Sequence, residues 1–140
     1  MGKILCATRG GEASYRTQDQ AIALAKKRGD ELVFLYVVDL TFLNTTAAPI
    51  VVDVEERVKQ MGDFLLTMAQ ERAQREGIQA KVICRRGTVR EEIKAAVIEE
   101  GATLVVLGRP AGDASAFVQQ SLRAFAEEIE QETGAEVVIV

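Results

Sequence analysis

Two stretches of the chain carry residues suited to holding an anion. Thr8, Arg9, Gly10 and Gly11 follow an apolar run at the amino terminus; Gly108, Arg109 and Gly112 follow another, "ATLVVL", with Ser121 further on. Guanidinium forks pair bidentately with phosphate or carboxylate. Glycines let several backbone N–H groups approach one anion, and a helix N-terminus beyond each loop adds partial positive charge. The chemistry these types point to is binding of a nucleotide or another phosphorylated small molecule. Two readings of the arginines stay open at this level. Arg9 and Arg109 flank one anion, or each is solvated or paired with a nearby acid such as Glu12 or Asp113. Ser14 and Ser115 are better explained as helix caps than as phosphate donors.

Catalysis has less support. Histidine is absent from the chain, which removes the commonest general base near neutral pH and with it Ser-His and Cys-His chemistry. The two cysteines, Cys6 and Cys84, sit inside apolar stretches without CxxC spacing, so free buried thiols are preferred to a disulfide, and no metal site is expected. "GRPAGDAS" does not close with the Gly-Lys-Ser/Thr of a Walker A loop. Arg85 and Arg86 end the third strand where a phospho-accepting receiver would need an aspartate; this basic pair reads as a solvated edge.

The frame that must position these residues is one domain. A chain of 140 residues with 48% hydrophobic and 27% charged content is ordinary for a globular protein with its own core. The formal charge of -4, with both signs interspersed, gives no reason to expect nucleic acid or a membrane surface as partner. The stretch "MGKILCATRG" is not expected to be a secretory leader, and no apolar run approaches the ~20 residues of a membrane span. A cytoplasmic location is expected.

Apolar strands alternate with amphipathic helices. "KILCAT", "ELVFLYVVD", "IQAKVIC", "ATLVVL" and "AEVVIV" read as strands. Between them, helices are expected from Ser14 to Gly29, from a capping box at Asp53 and Glu56 to Gly77, from a second box at Thr88 and Glu91 to Gly101, and from about Ser115 to Thr133. Val54, Val58, Met61, Leu65 and Met68 fall on one stripe of the second helix, which reads as core. The connection "LTFLNTTAAPIVV" is long for such a fold. Five strands alternating with four helices predict a parallel sheet covered on both faces, with ligands bound beyond the carboxyl ends of the strands where the strand order reverses.

The stretches "KILCATRGGEAS", "LVFLYVVD" and "RRGTVREEIKAAVIEEGATLVVLG" resemble the universal stress protein family along the whole chain, residues 1–140 forming one such domain. The resemblance implies an open five-stranded parallel sheet ordered 3-2-1-4-5, the adenine nucleotide alpha hydrolase-like architecture. Many members bind ATP through a Gly-x2-Gly-x9-Gly-(Ser/Thr) signature after the fourth strand. Set on this chain, the first glycine is Gly108, the second position falls on Ala111 with Gly112 one residue late, and the last two fall on Ser121 and Leu122. The Asp and Gly-Ser of the family's first loop read here Arg9, Gly10 and Gly11. Val37 and Val38 match the family's adenine wall. "RGGEAS" is faintly similar to the Ser-Gly-Gly-x-Asp-Ser loop of ATP pyrophosphatases but lacks the leading Ser and the Asp, so an ATP-using enzyme is the weakest reading.

Function is therefore expected to be that of a small binding or regulatory module, not an enzyme. It would take a nucleotide or phosphorylated anion, with ATP or AMP as candidate ligands, at Thr8–Gly11, Val38, Gly108, Arg109, Gly112 and Ser121. The alternative is a dimeric interaction module of the same family that binds no nucleotide. Val137, Val138, Ile139 and Val140 end the chain as an apolar strand with no helix after it, an edge that invites pairing with a second copy. The resemblance implies the same homodimer; a short edge sheltered by its neighbouring helix is the other reading.

Overall fold

The computed structural model describes residues 2–9, 12–39, 48–109 and 116–140. Strand β1 (Lys3–Ala7) leads to α1 (Glu12–Arg28), β2 (Glu31–Val38), α2 (Ala48–Arg75), β3 (Ala80–Arg86), α3 (Val89–Glu100), β4 (Leu104–Leu107), α4 (Ala116–Thr133) and β5 (Glu136–Ile139). The sheet is ordered β3-β2-β1-β4-β5, with every neighbouring pair parallel, as predicted. β1 is central: Ile4 lies beside Leu32 of β2 and Leu104 of β4. The chain thus leaves β1 in both directions across the sheet, and the carboxyl ends of β1 and β4 form the switch point.

Strand alternation divides the core in two. Ile4, Cys6, Phe34, Leu104 and Val106 face α1 and α2, where they meet Ala21, Ala25, Leu66, Ala69 and Ala73. Leu5, Val33, Leu35, Val105 and Leu107 face α3 and α4, where they meet Ile93, Val97, Phe125 and Ile129. Because β1, β2 and β4 are covered on both sides, their sequences are apolar at nearly every position.

Helix starts differ from the sequence expectation. α1 begins at Glu12, so Ser14 lies inside its first turn; the Ser14 hydroxyl accepts the Arg9 backbone N–H at 3.2 Å and closes the loop after β1. α2 begins at Ala48, ahead of the box expected at Asp53. Pro49 falls in its first turn, where a missing N–H is tolerated. Thr88 does stand at the N-cap of α3, but its side chain makes no cap bond. The Val89 N–H is taken instead by the Asp39 carboxylate at 3.1 Å, reaching over from the end of β2. The start of α4 near Ser115 lies outside the described residues. Helix ends follow the sequence: Gly29, Gly77, Gly101 and Gly134 all adopt positive φ, the left-handed stop that favours glycine.

The stripe of α2 is also turned from expectation. Its buried residues are Gly62, Leu66, Ala69 and Ala73, whereas Met61 is 52% exposed and Val54, Val58, Leu65 and Met68 are only half-buried. Small residues let the helix lie close on the sheet, and a Cβ at Gly62 would run into the Tyr36 ring. Close approach selected the small side chains, and the larger apolar ones were left at the flank.

Candidate functional site

A cavity of about 550 Å³ opens at the carboxyl ends of β1, β2 and β4, on the α3/α4 side of the sheet. Its floor is apolar: Ala7, Leu35, Val37 and Leu107 come from the strand ends, and Ile93, Leu122 and Phe125 from the helices. The polar groups on its wall are few and include Arg9, Asp39, Arg90 and Ser121. A largely apolar pocket with a few polar groups is the usual form of a small-molecule site, and its volume lies in the usual range.

The anion-binding residues expected from sequence are distributed unevenly around it. Arg9 is on the wall and exposed. Thr8 is on the wall too, but it is buried and its hydroxyl is committed: it accepts from Gln18 Nε2 at 2.8 Å and donates to the Arg9 carbonyl at 3.3 Å. Gly108 is on the wall, and a Cβ there would strike the Thr17 hydroxyl of α1; close packing of helix on strand accounts for this glycine without any ligand. Ser121 is on the wall. Gly10, Gly11 and Gly112 lie outside the described residues, as do Asp113 and Ser115.

Arg109, Val38 and Arg85 are placed differently from the sequence expectation. Arg109 does not share this cavity with Arg9: it is not on its wall, and its backbone N–H continues the ladder toward β5 by donating to the Val140 carbonyl at 3.0 Å. Val38 is buried at 2% exposure and is not on the wall, whereas Val37 is. Successive residues of a strand point to opposite faces, and Val38 is the one turned into the packed side at this position. Of the pair read as a solvated edge, Arg86 is exposed, with 72% of its side chain accessible, and Arg85 is not. Arg85 binds Glu92 at 2.8 Å and Glu99 at 2.6 Å, and Arg86 binds Glu55 at 2.9 Å.

Two residues that bring charge to the cavity were missed. Asp39 ends "YVVD" at the carboxyl end of a buried strand, and a carboxylate at that place was the available signal. Arg90 is the second residue of α3; its Nη2 donates to Ser121 Oγ at 2.5 Å, and its guanidinium lies 5.1 Å from the centre of the Phe125 ring. Nothing in "TVREEI" separates Arg90 from an ordinary surface arginine, because the contact depends on how α4 docks beside α3.

Elsewhere several charges are paired within the fold. Lys94 meets Glu128 at 2.6 Å and Glu91 and Glu132 at 3.2 Å, tying α3 to α4. These bonds, that of Glu128 foremost, push the Lys94 pKa up, and Lys94 in turn holds the Glu128 carboxyl below its ordinary value. Both cysteines are free. Burial pushes the Cys6 thiol up to about 12, so it has no thiolate chemistry at neutral pH. Among the described residues no cluster of three or more potential metal ligands is found, and no helix is long and apolar enough to cross a membrane.

An open parallel α/β sheet with a cavity at its switch point defines a class of domains that hold small ligands beyond their strand ends. Within that class the chain belongs to the universal stress protein family, whose model matches residues 1–140. It is similar to universal stress protein YxiE of Bacillus subtilis (strain 168), at 32% identity over 114 residues, covering 76% of this chain and 77% of that protein. Among solved structures it is similar to a universal stress protein family member from Burkholderia pseudomallei (26% identity, TM-score 0.73, covering 99% of this chain and 95% of the other). It also shares its fold with an Arabidopsis thaliana family protein solved with AMP bound (14% identity, TM-score 0.67, covering 100% and 91%).

Proposed function

We propose that the chain is a binding and regulatory module that takes a nucleotide or another phosphorylated anion in the cavity beyond β1, β2 and β4. The observation that carries this reading is the pairing of an apolar floor with Arg9 and Arg90 on the wall, neither of them in an ion pair with a described residue. An apolar floor suits the body of a nucleoside, and guanidinium groups suit its phosphate. The AMP held by the Arabidopsis relative of the same fold supports a nucleotide of this kind. The chain contains no histidine, which supports binding without turnover. Two free cysteines suit a reducing compartment and support a cytoplasmic place of action.

Calorimetric titration with ATP, AMP and inorganic phosphate tests the reading. Saturable heat with at least one of the nucleotides is expected. Silence with all three overturns it, and steady turnover of ATP would replace it with an enzymatic one.

A second reading, action through a homodimer, is favoured by β5. It is an outer strand, paired on one side with β4, and Val137, Val138, Ile139 and Val140 are half-exposed. Sedimentation equilibrium is expected to give the mass of two chains; a monomer at tens of micromolar would remove this reading.

A further inference from the structure

We propose that Arg90, clamped between Ser121 and Phe125, is the anion-binding group of the cavity and does with a side chain what a run of loop glycines would do with backbone N–H groups. The inference rests on the cavity being a site for a phosphorylated ligand. It adds which residue grips the phosphate.

Asp39 takes the Val89 N–H and so pins the first turn of α3 to the end of β2. Arg90 is the next residue, and it borders the cavity. Its two partners are both neutral: Ser121 Oγ at 2.5 Å and the face of Phe125 at 5.1 Å. The cations nearby are treated differently. Arg85 is held by two carboxylates and Lys94 by three. Glu128 accepts its hydrogen bond from Lys94, and Arg90 also helps to lower its carboxyl pKa. Arg90 is thus oriented without an ion-pair partner among the described residues.

A guanidinium has five N–H donors, and one bond to Ser121 leaves a fork for bidentate contact with phosphate. Ser121 accepts from Arg90, so its own O–H remains to donate to the same anion. Stacking on Phe125 restricts the side chain before any ligand arrives, which lowers the ordering cost of binding. Ser121 stands where the signature of ATP-binding members has its third glycine. The hydroxyl and the guanidinium it holds offer two side-chain donors in place of the N–H groups that a glycine would expose. The ligand class that fits is one phosphate on an apolar, flat body that can lie over Leu35, Val37 and Leu107. The carboxylate of Asp39 on the same wall disfavours a second anionic group beside it.

The test is titration of the full chain with AMP and, separately, with adenosine, using the wild type, Arg90→Ala, Arg90→Lys and Arg109→Ala. Arg90→Ala is expected to weaken AMP about 10- to 100-fold, the range for losing charge-assisted hydrogen bonds, and to leave adenosine unchanged. Arg90→Lys keeps the charge and loses the fork, so an intermediate loss is expected; as a conservative change on an exposed helix position it also guards against misfolding. Arg109→Ala is expected to bind AMP like the wild type. AMP affinity unchanged in Arg90→Ala, with the wild type binding, overturns this proposal and leaves the site reading standing. An equal loss of adenosine and AMP also overturns it, since the residue would then act on the shape of the pocket. Failure of the wild type to bind AMP overturns this proposal, and the site reading falls with it only if ATP and inorganic phosphate are silent as well.

Discussion

The two faces of the sheet use the same strands and reach different ends. On the α1/α2 face the helices offer Ala21, Ala25, Ala69 and Ala73, and the strands press Ile4, Cys6, Phe34 and Val106 into them. Small helix residues bring backbones close, and this face is filled along the strands. On the α3/α4 face the helices offer larger side chains, Ile93, Val97, Phe125 and Ile129. Beyond Leu35 and Leu107 this layer opens into the cavity. Alternation within one strand therefore separates two tasks: one set of side chains stabilises the domain, and the other forms the floor of a site.

Substitutions that treat the faces alike are expected to expose this difference. Phe34→Ala removes a fully buried ring from the filled face and is expected to cost about 3–5 kcal/mol. Leu122→Ala, on the cavity wall, is expected to cost about 1 kcal/mol or less because the lost contacts already face open space. Urea denaturation measures both, and equal losses would erase the distinction between the faces.

A smaller effect is expected where the faces meet at the switch point. Gly108→Ala sets a methyl against Thr17 of α1 and is expected to cost about 1–3 kcal/mol by overpacking. Because the cause is one contact, the same change in a Thr17→Ala background is expected to cost less, a coupling that a double-mutant cycle reads directly. Additive losses would mean that the glycine serves something other than helix packing.

The smallest effect is confined to acid pH. Lys94 holds the Glu128 carboxyl below its ordinary value, and Lys81 does the same for Glu100. A lowered carboxyl pKa adds stability that is complete above the unfolded value, about 4.3 for glutamate, and is lost as pH falls through the lower folded value. Thermal midpoints are expected to be level from neutral pH down to about 4.3 and to fall below it. Lys94→Met, which removes the cation shared by Glu91, Glu128 and Glu132, is expected to flatten that fall. For Lys94 itself the raised value acts at the alkaline end: its contribution is complete below the unfolded lysine value and fades only above it.

What was legible in the sequence follows from which interactions are local. The apolar strands, the glycine stops at Gly29, Gly77, Gly101 and Gly134, and the order of elements are written in short stretches, and the structure has them where they were expected. The start of α3 at Thr88 was read correctly, but its cap was not: the bond comes from Asp39, 50 residues away along the chain, and not from the Thr88 side chain. The buried stripe of α2 was misread because apolar periodicity counts large side chains, while close packing against Tyr36 selected Gly62 and the alanines. At the cavity, Thr8, Arg9 and Gly108 line the wall where β1 and β4 end side by side, an adjacency that the family resemblance implied and local pattern alone did not. Arg90 was missed because its partners, Ser121 and Phe125, come from a helix whose docking no local pattern encodes.

The most direct test of the account is a map of amide shifts in the ¹⁵N-labelled protein as AMP is added. The account predicts that the perturbed amides cluster at Arg9, Asp39, Arg90 and Ser121, with Phe34 and Ala69 on the opposite face unmoved. A spectrum that does not respond, or one whose shifts gather along α1 and α2, would contradict it.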